Sequence, residues 1–140
     1  MYKKILVALD VSKADESLIP HVGRLAKLLS SQLLLLHVAE GWAARNYDKL
    51  ELAESDEMKS DRKYLDDIAA RLRADGLSVE TKLALGNPPE EVLKVAESEK
   101  CDLIAMTTHG HRFLADIVLG STIEAVRHRA RIPLLIVRAE

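Results

Sequence analysis

The chain has 140 residues, 48% of them hydrophobic and 30% charged, with a net charge of −2. That length buries a full core without staples, and the charge balance excludes an electrostatic footprint for nucleic acid or for an anionic membrane surface. One cysteine, Cys101, excludes an internal disulfide framework and a cysteine-based zinc site, and it reads as a small buried hydrophobe at a strand start.

The first residues, Met1 to Lys4, lead into an apolar run of only five, Ile5 to Leu9. No signal-peptide pattern fits, and no segment approaches membrane-spanning length, so the expected location is cytoplasmic with no direct membrane insertion. A continuous run of this kind suits a strand buried on both faces of a parallel sheet. A helix is expected from about Ala14 to Leu29, with Leu18, Val22, Leu25, Ala26 and Leu29 at helical spacing. Pro20 requires either a late helix start or a kink. A second buried strand covers Leu33 to Val38. Ala39 to Tyr47, including Trp42, reads as an irregular connection.

A long charged helix is expected from about Asp48 to Ala74, with Leu65, Ile68, Ala69 and Leu72 as its apolar stripe and Gly76 as its C-terminal cap. Leu77 to Leu85 alternates in part, as an edge strand does. In Gly86-Asn87-Pro88-Pro89-Glu90, Asn87 suits the N-cap, Pro88 the first helical position and Glu90 the capping box. The helix it opens runs to Lys100 and buries Val92, Val95 and Ala96. Asp102 to Met106 is the fourth strand. After a loop, a helix from about Gly120 to His128 presents Ile123 and Val126, and Leu134 to Val137 is the last strand.

Strands alternate with helices throughout. The expected architecture is α/β: one domain over residues 1–140, an open, doubly wound, five-stranded parallel sheet in the order 3-2-1-4-5, with helices on both faces. Ligands of such sheets bind outside the carboxyl ends of the strands at the topological switch point. That places Asp10, which ends the first strand, beside Thr107 and Thr108, which end the fourth. The Gly110–Gly120 loop starts from the same rim. A glycine-bearing loop before a helix directs backbone N–H groups outward at the positive end of the helix dipole, where phosphate fits. Ser121 and Thr122 add hydroxyl donors, although Gly-Ser-Thr is equally an ordinary N-cap. His109 and His111, even with His128, are a thin metal site, and no metal ligands are assigned.

The chain resembles the universal stress proteins of the nucleotide-binding type over essentially its whole length. Their motif, Gly-x2-Gly-x9-Gly-(Ser/Thr), is matched by Gly110, nine residues from His111 to Leu119, and Gly120-Ser121. The opening Lys3 to Asp10, Leu36-His37-Val38, Gly86-Asn87-Pro88 and the closing Ile132 to Val137 are also similar. The resemblance implies an ATP site; separately, a Mg²⁺ carried by the nucleotide is the expected metal, because Mg²⁺ usually binds through phosphates and one or two carboxylates. The resemblance places Asp10 at the ribose or base, Val38 backbone at the adenine, and Met106 in the base pocket. His109, Gly110, Gly120, Ser121 and Thr122 would hold phosphates, with Arg112 available to neutralise them. It also implies a homodimer paired through Leu134, Leu135, Ile136 and Val137, and an apolar edge strand has its own physical need for such a partner.

Thr107 stands where the motif has its first Gly. If that position requires φ > 0, a β-branched residue fits poorly; if the Gly only keeps Cβ away from the ligand, Thr is accommodated with a small shift. Three functions follow: an ATP-binding, dimeric stress-response module with slow or no hydrolysis; an interaction module with a vestigial site, partnering for example a transporter; and a weak ATPase. No P-loop, nucleophile elbow or dinucleotide fingerprint is present.

Overall fold

The computed structural model describes residues 1–39, 56–108 and 122–140. These residues form five strands, β1 (Lys4–Ala8), β2 (Gln32–Ala39), β3 (Ser78–Leu85), β4 (Leu103–Thr107) and β5 (Leu134–Val137). All pair in parallel, in the order β3-β2-β1-β4-β5 expected from the sequence. Helices α1 (Asp15–Leu29), α2 (Asp56–Ala74) and α3 (Pro88–Ser98) connect them, with a further helix, α4, over 122–129.

The near-continuous apolar runs work because alternate side chains go to opposite faces. Ile5, Val7, Leu33, Leu35, Leu103 and Ala105 pack against α1 and α2 through Leu18, Val22, Leu65, Ile68 and Ala69. Leu6, Leu34, Leu36, Ile104 and Met106 pack on the other face against Val92, Val95 and Ala96 of α3 and Val126 of α4. Each fully buried Leu or Ile contributes about 1.5–3 kcal/mol, so the three central strands carry most of the burial. Cys101 belongs to this second face. Burial pushes its thiol up to about 11, which leaves no useful thiolate near neutral pH.

Several boundaries differ from expectation. Leu9 lies just past β1, yet it stays buried and its N–H donates to Leu36 O at 2.8 Å. Ala39 belongs to β2 rather than to the following connection. The remainder of that connection, Trp42 included, and the expected start of α2 at Asp48 lie outside the described residues. Helix α3 ends at Ser98, and Lys100 sits at φ +57° in the turn beyond it. The Asn87 cap is in place, accepting the Glu90 N–H at 3.2 Å. Gly76 closes α2 at φ +92°. Helix α1 does not start late: Pro20 lies in its second turn, where it withholds one N–H from the Glu16 carbonyl. Both residues are exposed.

Gly23 occupies the middle of α1, and a methyl group there would meet Leu72 Cδ2 at 3.5 Å and Leu77 Cδ1 at 3.9 Å, ordinary contact distances. Gly23→Ala is therefore expected to raise stability by about 0.5–1 kcal/mol, read as a melting temperature higher by a few degrees. A lower melting temperature would show that α1 and the α2–β3 turn are too close to admit the methyl. Among the described residues, no helix is long and apolar enough to cross a membrane.

Candidate functional site

The chain leaves β1 toward β2 on one side, while β4 lies on the other. The connections diverge at the carboxyl end of β1 and open a crevice there. A cavity of about 300 Å³ occupies it. Its floor is the ends of three strands: Ala8 of β1 and the residues after it to Val11, Leu36 to Ala39 of β2, and Met106 with Thr107 of β4. The starts of α2 (Glu57, Asp61) and α3 (Pro88, Val92) form its walls, with Thr122 at the start of α4.

Five residues singled out in the sequence meet here: Asp10, Val38, Met106, Thr107 and Thr122. His109, Gly110, Arg112, Gly120 and Ser121 lie outside the described residues. Val38 has a specific backbone orientation. Leu36 O accepts from Leu9, the residue after the last paired position of β1, Ala8. Strand alternation turns the Val38 N–H and C=O to the same side two residues further on, past the end of β1. They face the cavity.

Thr107 raises no backbone objection. It is the last residue of β4, in register with Val137, and it is not among the positive-φ positions. An extended backbone suits a β-branched residue, and its side chain is buried at the cavity edge.

Four residues that shape the site were not singled out beforehand. The most consequential is Asp15, the first residue of α1, whose side chain is completely buried. Its carboxylate accepts the N–H of Asp10 at 2.9 Å, of Val11 at 2.8 Å and of Ser12 at 3.4 Å. It also accepts the Tyr64 hydroxyl from α2 at 2.8 Å. Burial raises the Asp15 carboxyl above its ordinary range, against the opposing pull of those donors. Burial, and then the Asp15 charge, raise the Tyr64 hydroxyl as well. Inside the turn, the Ser12 hydroxyl donates to Asp10 Oδ2 at 2.6 Å. Val11 sits at φ +56°, a conformation that costs a β-branched residue on the order of 1–2 kcal/mol. One signal for Asp15 was legible: it shares the buried face of α1 with Leu18, Val22 and Ala26, where a charge needs a reason.

His37 and Asp61 form the other polar pair. His37 Nδ1 lies 2.8 Å from Leu9 O; a carbonyl only accepts, so Nδ1 carries a proton. Nε2 then faces Asp61 Oδ2 at 3.6 Å. Burial raises the Asp61 carboxyl, His37 opposes that rise, and Glu57 adds to it. Asp10, Glu57 and Asp61 make this side of the cavity acidic. Among the described residues, no group of three or more His, Cys, Asp or Glu is arranged to hold a metal ion. His128 is exposed and pairs with Glu124 at 3.0 Å.

The universal stress protein family model matches residues 1–138. Universal stress protein MJ0577 of Methanocaldococcus jannaschii is 30% identical, over 99% of this chain and 96% of its own. The solved structure of MJ0577 superposes with a TM-score of 0.84 at 31% identity, covering 100% of this chain and 98% of that one. Two further structures share the fold at 21% identity. One is a universal stress protein in complex with cAMP (TM-score 0.71, covering 99% and 98% of the two chains), and the other is the Archaeoglobus fulgidus protein in complex with dAMP (TM-score 0.70, 97% and 98%). The sheet order, the crevice at its switch point and a family match spanning nearly every residue lead to one conclusion: this chain belongs to the universal stress protein family.

Proposed function

We propose that the cavity binds an adenine nucleotide, ATP with its Mg²⁺, and that the protein is a cytoplasmic, dimeric stress-response module with slow or no hydrolysis. The observation that carries the reading is the convergence of Asp10, Val38, Met106, Thr107 and Thr122 on one cavity at the switch point. A volume of about 300 Å³ lies at the small end of the range for ligand pockets and suits a nucleoside. The parts are chemically apt. The Asp10 carboxylate accepts from ribose hydroxyls. The Val38 backbone offers one donor and one acceptor to the edge of a purine. Met106 supplies a polarisable contact for its face.

The acidic wall also orients the ligand. Phosphates are repelled by Asp10, Glu57 and Asp61, so the triphosphate points to the Thr122 side. His109, Gly110, Arg112, Gly120 and Ser121 are the proposed phosphate and Mg²⁺-nucleotide contacts. Binding of cAMP and dAMP by proteins of this fold supports adenine as the base. Pairing through β5 rests on its place at the sheet edge, with Ile136 37% exposed beside half-buried Leu134, Leu135 and Val137. A vestigial site was motivated by Thr107, and its extended backbone meets the conformational part of that motive.

The test is thermal unfolding of the purified protein with ATP and AMP, each with and without Mg²⁺. Ligand at a hundred times its dissociation constant is expected to add about 2.7 kcal/mol of stability, and Asp10→Ala is expected to shrink that gain. Unchanged melting with every adenine nucleotide at millimolar concentration would overturn the reading.

A further inference from the structure

We infer that Asp15 is the positioning residue of this site: its buried carboxylate holds the Asp10–Ser12 turn in its ligand-ready shape, and Tyr64 ties that turn to helix α2. The inference rests on the nucleotide reading for its effect on affinity, but its geometry stands apart from that reading.

Asp15 is not an ordinary helix cap. A capping carboxylate accepts from N–H groups inside the first helical turn. The residue at the cap position here is Ala14, whose backbone is helical and which supplies no side-chain cap. Asp15 instead reaches backward and gathers three consecutive N–H groups of the loop before the helix, those of Asp10, Val11 and Ser12. Three adjacent donors converge on one acceptor only if the chain curls, and Val11 at φ +56° is that curl. Nothing local favours it, because valine avoids this region. The carboxylate compensates for it.

The consequence falls on Asp10. Its N–H is held by Asp15 and its carboxylate accepts from the Ser12 hydroxyl, so both ends of Asp10 are fixed by the same turn. The second tether is Tyr64. Its hydroxyl reaches the same carboxylate from α2, three residues beyond Asp61, which lines the cavity. The Asp10 turn and the acidic wall of α2 thus share one buried anchor. A ligand that engages Asp10 must act on α2 through it, a two-body coupling of the kind that lets a site report its occupancy.

Two measurements test this. The first needs no ligand: amide hydrogen exchange in wild type, Asp15→Asn and Tyr64→Phe. An amide in place of the carboxylate puts a donor against donors. Exchange of the Asp10, Val11 and Ser12 amides is expected to accelerate at least tenfold in Asp15→Asn and by a smaller factor in Tyr64→Phe, with β2 and β4 amides unchanged. The second is ATP affinity by calorimetry in a cycle with Asp10→Asn. Asp15→Asn is expected to weaken binding at least tenfold, and the double variant is expected to bind no more weakly than Asp10→Asn alone, because Asp15 acts through Asp10.

Unchanged exchange in the turn, or losses of affinity that simply add, would overturn the inference. If Asp15→Asn does not fold, Tyr64→Phe, which keeps the ring, carries both measurements. If wild type binds no adenine nucleotide while exchange still accelerates, the nucleotide reading fails and the positioning role stands.

Discussion

Truncating Leu35 to alanine is expected to lower the unfolding free energy by about 3–5 kcal/mol, the largest effect of any single change considered for this chain. Leu35 is completely buried in β2, in register with Val7 of β1 and Thr81 of β3, and it faces the α1–α2 side of the sheet. Removing a buried leucine side chain costs its transfer free energy plus a term for the cavity left behind, together about 2–5 kcal/mol. A central strand cannot collapse into the gap, since both of its neighbours are hydrogen-bonded to it, so the upper part of that range applies. Leu28→Ala is the matched control. It deletes the same atoms from a side chain that is 83% exposed, and its effect is expected to stay within about 0.5 kcal/mol. Urea denaturation of the two variants decides the matter. Similar midpoints would mean that the register at Leu35 is wrong.

Filling the cavity is expected to abolish ligand binding while sparing the fold. Ala8, the last residue of β1, lines the cavity floor beside Asp10. Adding bulk to a packed core usually costs about 1–3 kcal/mol. Here the added ring enters a space of about 300 Å³. Ala8→Phe is therefore expected to change stability by less than about 1 kcal/mol. Its affinity for ATP is expected to fall at least 100-fold, or about 2.7 kcal/mol. Calorimetric titration of ATP into the variant, with urea unfolding alongside, checks both halves. A stable variant that binds like wild type would place the nucleotide elsewhere. A variant that binds nothing and melts much earlier would show that Ala8 is a core position rather than a cavity wall.

Both predictions depend on where strand ends fall, and the residues differ in how openly they declared that. Asp10 was legible because it stops an apolar run, and Asn87-Pro88 because its chemistry is local to one helix start. Val38 and Met106 rested on resemblance; the fold brings both to the cavity, Val38 because the β2 backbone runs past the end of β1. Thr107 illustrates the opposite case: the motif made it look like a defect, and its extended backbone at the end of β4 shows that no positive φ is required there. Asp15, Tyr64 and Asp61 were passed over because each looks ordinary in its own segment, and His37 was named only within the Leu36-His37-Val38 resemblance. Only Asp15, a charge on an apolar helix face, carried a local warning.

Apolar periodicity and cap chemistry act over a few residues. The sequence by itself therefore determined the alternation of strands and helices, the sheet class and its order, and the crevice at the switch point. The partners of the buried carboxylate behind the Asp10–Ser12 turn were decided by tertiary structure. Asp15 and Tyr64 are 49 positions apart, and Leu9 and His37 are 28 apart. Hydrogen bonds between such residues leave no periodic trace. They exist because packing α1 and α2 on one face of the sheet removes water from donors and acceptors that then have only each other to pair with.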